Sequence, residues 1–588
     1  MVRPKRIPLF VSRRRPGSSP TWSLGSGLRQ GTLWLAAALL LTASAQAAIP
    51  LPAASFDWFD YRGHDPLDAT LRPGPNDYRN PILPGFYPDP SITRVGRDYY
   101  LVTSTFSYFP GIPVFHSRDL VNWRQIGNAI DRPDQLNFGT LGLSRGVFAP
   151  TIEHRGGTFY ILNTCVDCGG NFVITARNPA GPWSNPVWLP DLEGGIDPGL
   201  FFDTDGRAWI VNNGPPEGTP RYDGHRAIWI QEFDPRALRT IGPRRVLVDG
   251  GVDPSTNPIW IEGPHIQKVG RYYYLICAEG GTAEGHSQVV LRSESVTGPY
   301  TPYSGNPILT QRGLPSDRPF PITSAGHADL VQTQNGDWWA TFLAVRPYRG
   351  DFYNIGRETF LMPVRWVDGW PRITEPGQVI PYVARRPNLP RQRAVPPSAR
   401  EEFDGTRLPF HWMMARNPRE TWYALRDGRL VLTARPIRLG DNGNPSYLGR
   451  RQQHLNATIT TRVDFTPRGS AEAGLAVFQS DDYFFALVVA RENGRDVVRL
   501  RRRAGPSDPP EGMAIASVPL GAARGPVILR VDTTSLGYRF SFAPSGGSFQ
   551  NVGDLQDGTI LSTRTAGGFV GTTIGPVAYT LPSRPPSS

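Results

Sequence analysis

A fivefold repeat in the first two thirds of the chain limits its fold more than any other feature. In each unit a glycine turn leads into an aromatic strand, and the five units are marked by Tyr100, Tyr160, Trp209, Tyr274 and Trp339, spaced by 60, 49, 65 and 65 residues. Short β-rich runs separated by turn residues fill each unit. Repeats of this kind are typical of a radial architecture with one sheet per unit. The sequence therefore predicts an all-β fold in which residues 77–382 form a five-bladed β-propeller.

One position of the repeat carries chemically active side chains. Counting back 11 or 12 residues from each aromatic mark reaches Asp89, Ala149, Asp197, Glu262 and His327. The innermost strands of all propeller blades face one central axis, so we expect these side chains to converge at one end of the channel. Prolines directly after the first and third positions, and Gly-Pro after the fourth, interrupt regular pairing there. The carboxylates are therefore predicted to lie at a rim of the channel.

Three converging carboxyl groups point to hydrolysis of a glycosidic bond. That reaction needs one carboxylic acid to protonate the leaving oxygen and one carboxylate to activate water or attack carbon. Asp89 and Glu262 can supply these two groups, and Asp197 is a third acid whose charge raises the pKa of a neighbour. Each acid taken alone is better explained as a turn or capping carboxylate. Their common register across repeats favours the catalytic interpretation.

His327 occupies the corresponding place in the fifth blade. A neutral imidazole there can bind a cation in the channel or hydrogen-bond to the substrate. A buried histidine with a purely structural role explains the same residue equally well. We expect no required cofactor, and a structural Ca²⁺ in the channel is kept as a hypothesis with His327 as its candidate ligand.

The first 48 residues have the pattern of a signal peptide. Seven basic residues precede an apolar run at 33–41, and Ala45-Gln46-Ala47 supplies an A-x-A cleavage site. The run is short for a membrane span, although an uncleaved anchor fits the same pattern, and Ser12-Arg13-Arg14 leaves twin-arginine export open. The sequence predicts an exported protein, periplasmic or secreted, with no membrane attachment after cleavage.

Removal of this leader changes what the charge implies. The formal net charge falls from +11 to +4 without the seven basic residues. The basic character of the chain therefore gives no support to nucleic-acid binding. Of the three cysteines, Cys165 and Cys168 form a lone C-x-x-C, which is weak evidence for zinc and in an exported chain can close a small disulfide loop. Cys277 is interpreted as a core residue.

The pattern changes after the repeats. Residues 383–400 form a linker rich in Pro and Arg that is unsuited to a regular ladder. From 401 to 588 the chain alternates apolar and polar residues without the aromatic repeat, as in 458–465 and 527–532. This spacing predicts an antiparallel β-sandwich. The second domain can bind sugar, complete the neighbouring active site or only stabilise the propeller.

Several motifs in order resemble those of glycoside hydrolase family 43, in its two-domain group of β-xylosidases and α-L-arabinofuranosidases. The motifs are 80–91 (NPILPGFYPDPS), 195–198 (GIDP), 259–265 (IWIEGPH), 356–359 (GRET) and 448–454 (LGRRQQH). The resemblance implies a five-bladed propeller followed by a concanavalin A-like β-sandwich. It also implies an inverting, single-displacement hydrolysis.

The resemblance further implies roles for individual residues. Asp89 matches the general base, Glu262 the general acid, and Asp197 the residue that tunes the acid and orients the sugar. Phe106 matches an apolar wall of the terminal-sugar pocket, and Arg357 matches a donor to sugar hydroxyls.

One position departs from the pattern of the xylosidases. Phe148 stands before Ala-Pro on the second blade, where those enzymes usually carry Trp. The smaller ring without an N–H leaves the choice between xylosyl and arabinofuranosyl substrates open. We expect an exo-acting enzyme that removes terminal pentosyl residues from xylo- or arabino-oligosaccharides of plant cell walls. The alternatives are a non-catalytic sugar-binding propeller and a retaining hydrolase on the same fold.

Overall fold

Each repeat of the sequence folds into one antiparallel sheet in the computed structural model, and the five sheets are arranged as the blades of a β-propeller. The structure describes residues 51–394, 399–521 and 525–582. The predicted signal peptide, 1–48, lies outside the described residues, as do residues 395–398 of the predicted linker.

The blades have four or five strands each, and the innermost long strand of each blade borders the axis. Blade 1 contains Ser91–Val95, Asp98–Val102, Gly111–Ser117 and Arg124–Ile130. Blade 2 contains Gly146–Val147, Thr151–Arg155, Thr158–Val166, Gly170–Ala176 and Val187–Trp188. Blade 3 contains Ile196–Phe202, Ala208–Gly214, Ala227–Asp234 and Arg239–Asp249. Blade 4 contains Glu262–Val269, Tyr272–Glu279, Ser287–Ser293, Thr301–Pro302 and Leu309–Thr310. Blade 5 contains Thr323–Gln332, Trp338–Val345, Glu358–Val367 and Trp370–Arg372.

The ring of blades is closed by the segment that precedes blade 1. The innermost strands of blades 5 and 1 contact each other, which completes the circle. Asp77–Arg79 pairs with Val383–Arg385, so the first residues of the predicted linker form a strand. The Asn80 side chain then exchanges two hydrogen bonds of 2.9 Å with the backbone of Leu361 in blade 5. Both ends of the propeller are thereby tied together, which holds the axial site in one geometry.

A β-bulge recurs where the innermost strands of blades 3, 4 and 5 begin. Two residues of the inner strand oppose one residue of the next strand there, and the first bulged residues are Asp197, Gly263 and His327. All three have left-handed backbones, with φ of 54°, 56° and 51°, and Asp89 in blade 1 has φ 55°. In blades 1, 3 and 5 this recurring local bend aims the side chains of Asp89, Asp197 and His327 at the axis.

The register assigned to Glu262 by counting was wrong by one residue. Gly263 is the bulged residue of blade 4, and Glu262 precedes it. Residues that pair across the turn after the innermost strand are separated by an even number of positions in blades 3 and 5, and by an odd number in blades 1, 2 and 4. The turns of blades 3 and 5 are therefore one residue longer. The correct offset in blade 4 is therefore 11 residues, and Glu262 reaches the axis from the residue before the bend.

The second domain is a β-sandwich of an eight-stranded and a seven-stranded sheet. The eight-stranded sheet contains Tyr423–Arg426, Arg429–Thr433, Ala53–Gly63, Arg400–Glu401, Ala457–Asp464, Val527–Thr534, Gly537–Pro544 and Gln550–Asn551. The seven-stranded sheet contains Ser446–Tyr447, Arg450–Arg451, Thr573–Thr580, Ala471–Ser480, Tyr483–Glu492, Arg495–Ala504 and Met513–Pro519. The sequence analysis did not assign the strand Ala53–Gly63, which precedes the propeller and pairs on both sides within this sheet.

The propeller and the sandwich share a packed boundary. Tyr108–Phe109 of the propeller pairs with Met414–Ala415 of the second domain. Helices are short: the described residues contain Pro66–Thr70 and Thr563–Ala566 as α-helices and Pro190–Leu192, Pro254–Thr256 and Gly558–Leu561 as 3₁₀-helices. No helix among the described residues has the length and apolar character needed to cross a membrane.

Candidate active site

A cavity of about 290 Å³ lies at the end of the propeller axis where the bulges occur. Every site residue predicted from the sequence lines it, namely Asp89, Phe106, Phe148, Asp197, Glu262, His327 and Arg357. The remaining lining residues are Ala149, Ile196, Ile259, Trp260, Gly281, Thr282 and Phe569. The repeat therefore brings residues distant in the chain into one hollow, as the sequence predicted.

Asp89 is held as a carboxylate. The Ser104 hydroxyl donates a hydrogen bond of 2.5 Å to Oδ2, and Arg357 Nη1 donates one of 3.3 Å to Oδ1. His327 Nδ1 lies 3.4 Å from Oδ1. Burial of Asp89 works to raise its pKa, but the Arg357 charge, His327 and the Ser104 hydrogen bond together lower the pKa below its ordinary value. Asp89 therefore favours the ionised form although its side chain is buried.

The pKa values of Asp197 and Glu262 are shifted in the opposite direction, upward. Burial and the negative charge of Asp89 raise the pKa of Asp197 to about 7, against one hydrogen bond of 3.3 Å from the Gly263 N–H. Burial, followed by the charges of Asp197 and Asp89, raises the pKa of Glu262 well above its ordinary value. A negative charge on either neighbour therefore favours the protonated form of Glu262.

Three carboxyl groups thus face the same cavity, of which Asp89 favours the ionised form and Glu262 the protonated form. Environments that push the pKa values of two carboxyl groups apart assign them to base and acid work. The ionised Asp89 can accept a proton from water, and the protonated Glu262 can donate one to a leaving oxygen. The arrangement can therefore carry out acid/base hydrolysis.

His327 packs against the bend of blade 4. A Cβ placed on Gly263 would lie 2.6 Å from His327 Nε2, so the glycine makes room for the ring. Burial lowers the pKa of His327 to about 4, although the charge of Asp89 opposes this, so the ring is neutral near neutral pH. Within residues 51–394, 399–521 and 525–582, no group of three or more His, Cys, Asp and Glu side chains is arranged to hold a metal ion. His327 therefore belongs to no such group of side chains.

Three phenylalanine rings form one wall of the cavity. Phe106 and Phe148 have centroids 5.5 Å apart, and Phe569 lies 5.8 Å from both. The Arg357 guanidinium lies 5.2 Å from the centroid of Phe569 and 5.9 Å from that of Phe106. Phe569 comes from the sandwich, and its N–H donates a hydrogen bond of 2.8 Å to Ser144 Oγ of the propeller. The second domain therefore completes this wall, one of the alternatives left open by the sequence.

Two further residues at the rim were missed by the sequence analysis. Trp260 lies within the 259–265 motif, which assigns it no role, and Arg226 lies in none of the motifs. The Arg226 guanidinium lies 4.9 Å from the Trp260 ring centroid, and the charges of Asp197 and Glu262 act on Arg226. No local pattern marks Arg226, which lies directly before the third strand of blade 3, Ala227–Asp234. Trp260 carried a usable signal, since it lies two residues before Glu262.

Two family models match the chain. Residues 78–371 match the family described as "Glycosyl hydrolases family 43", and residues 400–586 match the "Beta xylosidase C-terminal Concanavalin A-like domain". The matches cover the propeller and the sandwich respectively.

Characterised relatives resemble the chain over most of its length. It is 38% identical to the "Non-reducing end alpha-L-arabinofuranosidase BoGH43B" of Bacteroides ovatus, across 85% of this chain and 90% of that protein. It is also 38% identical to a "Xylosidase/arabinosidase" of Butyrivibrio fibrisolvens, across 84% and 94%. A crystal structure of a "GH43_12" protein from a capybara gut metagenome superposes with a TM-score of 0.84 at 38% identity, across 90% of this chain and 100% of that one.

Proposed function

Because this chain belongs to glycosyl hydrolases family 43, we propose that it removes terminal β-D-xylosyl or α-L-arabinofuranosyl residues from plant cell-wall oligosaccharides. It is an exo-acting glycosidase. The observation that supports the proposed mechanism most directly is the opposite perturbation of Asp89 and Glu262 within one cavity. A volume of about 290 Å³ lies below the roughly 300–1,000 Å³ of pockets for drug-sized ligands and suits a single terminal sugar.

In the proposed mechanism, hydrolysis proceeds in one displacement. The Asp89 carboxylate accepts a proton from water while the water oxygen attacks the anomeric carbon. The glycosidic C–O bond breaks, and the carboxyl proton of Glu262 passes to the leaving oxygen. Asp89 then returns its proton to solvent, and Glu262 regains one, so that one water is consumed. Asp197 keeps the pKa of Glu262 high enough for the acid to remain protonated.

The proposed binding of the terminal sugar uses the aromatic wall and Arg357. Phe106, Phe148 and Phe569 offer an apolar surface for the C–H face of a pentose. Arg357 presents donors beside Asp89 that can hydrogen-bond to sugar hydroxyls. His327 is proposed as a further contact to the sugar, because its neutral ring borders the same cavity. Phe148 stands where xylosidases usually carry Trp, so this position does not decide between the two pentosides. An activity screen with a β-D-xyloside and an α-L-arabinofuranoside separates them.

The stereochemistry of the product tests the mechanism. Proton NMR of the first product formed from a xylo- or arabino-oligosaccharide should show inverted anomeric configuration. Retained configuration would exclude Asp89 as the base of a single displacement and would favour a nucleophilic carboxylate instead.

Replacing the acid separates catalysis from binding. We expect Glu262→Gln to abolish hydrolysis of unactivated oligosaccharides while sugar binding remains measurable by calorimetry, because the amide cannot donate the proton. Unchanged turnover would remove Glu262 from the acid role. An unsubstituted protein that binds oligosaccharides without turning over xylosides or arabinofuranosides would favour the non-catalytic alternative.

We also propose that the protein is exported to the periplasm or beyond. The basic and apolar segment of 1–48 with its A-x-A site supports this. The disulfide between Cys165 and Cys168 gives independent support, because such bonds persist in oxidising compartments. A mature N-terminus that still contains residues 1–48, measured by mass spectrometry after expression in the native host, would contradict it.

No cofactor is proposed for the reaction, since the chain itself provides both acid and base. A structural Ca²⁺ in the channel stays a prediction. Its test is the unfolding temperature with added Ca²⁺ and with EDTA, which should differ if the ion binds and stabilises the folded protein.

A further inference from the structure

Two exposed apolar side chains lie side by side at the rim of the cavity. Ile259 is 54% exposed and Trp260 is 36% exposed, whereas Phe106 in the wall is 1% exposed. Trp260 precedes the proposed acid Glu262 by two residues. An exposed ring beside a catalytic cavity is a surface that the substrate itself can cover.

The backbone holds this ring in a fixed place. The Trp260 N–H donates a hydrogen bond of 2.9 Å to the Gly224 carbonyl, and the Gly280 N–H donates one of 2.9 Å to the Ile259 carbonyl. Trp260 has φ 59°, in the left-handed region that bulky residues rarely adopt. Such strain concentrates at functional sites, where the surrounding structure enforces it. The segment is therefore pinned to both neighbouring loops.

The ring is also fixed through Arg226. The guanidinium over the ring is anchored by hydrogen bonds of 2.6 Å and 3.0 Å to Asn213 Oδ1 and of 2.9 Å to the Gly194 carbonyl. The ring is thereby held beside the cavity, two residues before Glu262.

We infer that Trp260 forms the binding site for the leaving sugar. The exposed part of its ring packs against the departing sugar. This inference rests on the proposed glycosidase function and adds the leaving side of the bond, which the Phe106, Phe148 and Phe569 wall does not address. Arg226 acts behind the ring as a support.

Two substrates with different leaving groups test the inference. A pentosyl disaccharide has a leaving sugar that requires a proton, whereas a pentosyl azide has a small leaving group that requires none. Trp260→Ala should lower kcat/KM for the disaccharide by about tenfold or more and leave the azide within about twofold. Trp188→Ala is the matched control, since Trp188 is 42% exposed and does not line the cavity. Equal loss on both substrates, or no loss on either, would overturn the inference.

Trp260→Phe keeps an aromatic ring at the rim, so KM for the disaccharide should stay near that of the unsubstituted protein. A rise in KM as large as that of Trp260→Ala would overturn the ring contact.

Binding measurements distinguish failure of the inference about Trp260 from failure of the proposed glycosidase function. If the unsubstituted protein hydrolyses neither substrate, the proposed function fails. Calorimetry with a pentosyl disaccharide and with the free pentose then tests the sugar contact alone. Trp260→Ala should weaken disaccharide binding by about threefold to tenfold without changing binding of the free pentose. Equal affinities before and after the substitution would overturn the contact.

Discussion

Ser104→Ala should move the acid limb of the pH profile upward by about 1–2 pH units. The Ser104 hydroxyl makes the shortest contact with the Asp89 carboxylate, 2.5 Å, compared with 3.3 Å from Arg357 and 3.4 Å from His327. A hydrogen bond to a charged group contributes about 1.5–3 kcal/mol, and one pKa unit corresponds to about 1.36 kcal/mol. Since this bond favours the ionised form, its loss raises the pKa of Asp89 by about 1–2 units.

The direction of the pKa change of Asp89 determines at which pH the variant should lose activity. The proposed base must be ionised, and the acid limb of kcat/KM reports the pKa of the free base. Arg357 and His327 remain in Ser104→Ala, so Asp89 is still ionised at neutral pH. Activity near pH 7 should therefore change little, whereas activity on the acid limb should fall relative to the unsubstituted protein, by up to about tenfold per pKa unit at pH values well below both limbs.

The neighbouring residue supplies the control. Thr103 is fully buried like Ser104, but its hydroxyl has no hydrogen-bond partner within the described part of the chain. Thr103→Val removes a hydroxyl of the same kind from the same strand end and should leave the acid limb in place. An acid limb of Ser104→Ala that coincides with that of the unsubstituted protein would refute the assignment of Asp89 as the base. If the acid limb moves equally in Thr103→Val, the shift reflects a general disturbance of the structure and not the loss of the hydrogen bond to Asp89.

Three other outcomes are expected. Asp197→Asn should move the alkaline limb to lower pH, because it removes a negative charge that raises the pKa of Glu262; a limb that stays or rises in a pH profile would contradict this. Phe569→Ala should raise KM for pentosides and destabilise the protein by about 1–3 kcal/mol in a denaturant titration, because two ring contacts of 5.8 Å are lost; an unchanged KM would limit Phe569 to a packing role. Gly263→Ala should reduce activity through displacement of His327, since its Cβ would lie 2.6 Å from the ring; full activity with unchanged KM would show that the bend tolerates a side chain.

The sequence predicted the propeller and the main site residues because the repeat converts chain distance into spatial proximity. Counting located Asp89, Asp197 and His327 at equivalent bends, but it placed Glu262 one residue off, since turn length is not visible from aromatic marks alone. Phe569 could not be found in this way. It enters the cavity only through the packing of one domain on the other, which no local period encodes.

Because of the strand Ala53–Gly63, the two domains cannot be produced as separate proteins by cutting the gene at the linker. It lies inside the eight-stranded sheet, between Arg429–Thr433 and Ala457–Asp464, with Phe56 and Phe59 fully buried. On the ribosome this strand emerges long before its partners, so the sandwich cannot close until nearly the entire polypeptide has been synthesised. A truncated product that begins at residue 401 would lack an interior strand and expose two unpaired edges. Dissecting this enzyme therefore calls for a circular permutant that joins 51–63 to the C-terminal half, and not for a simple cut at the linker.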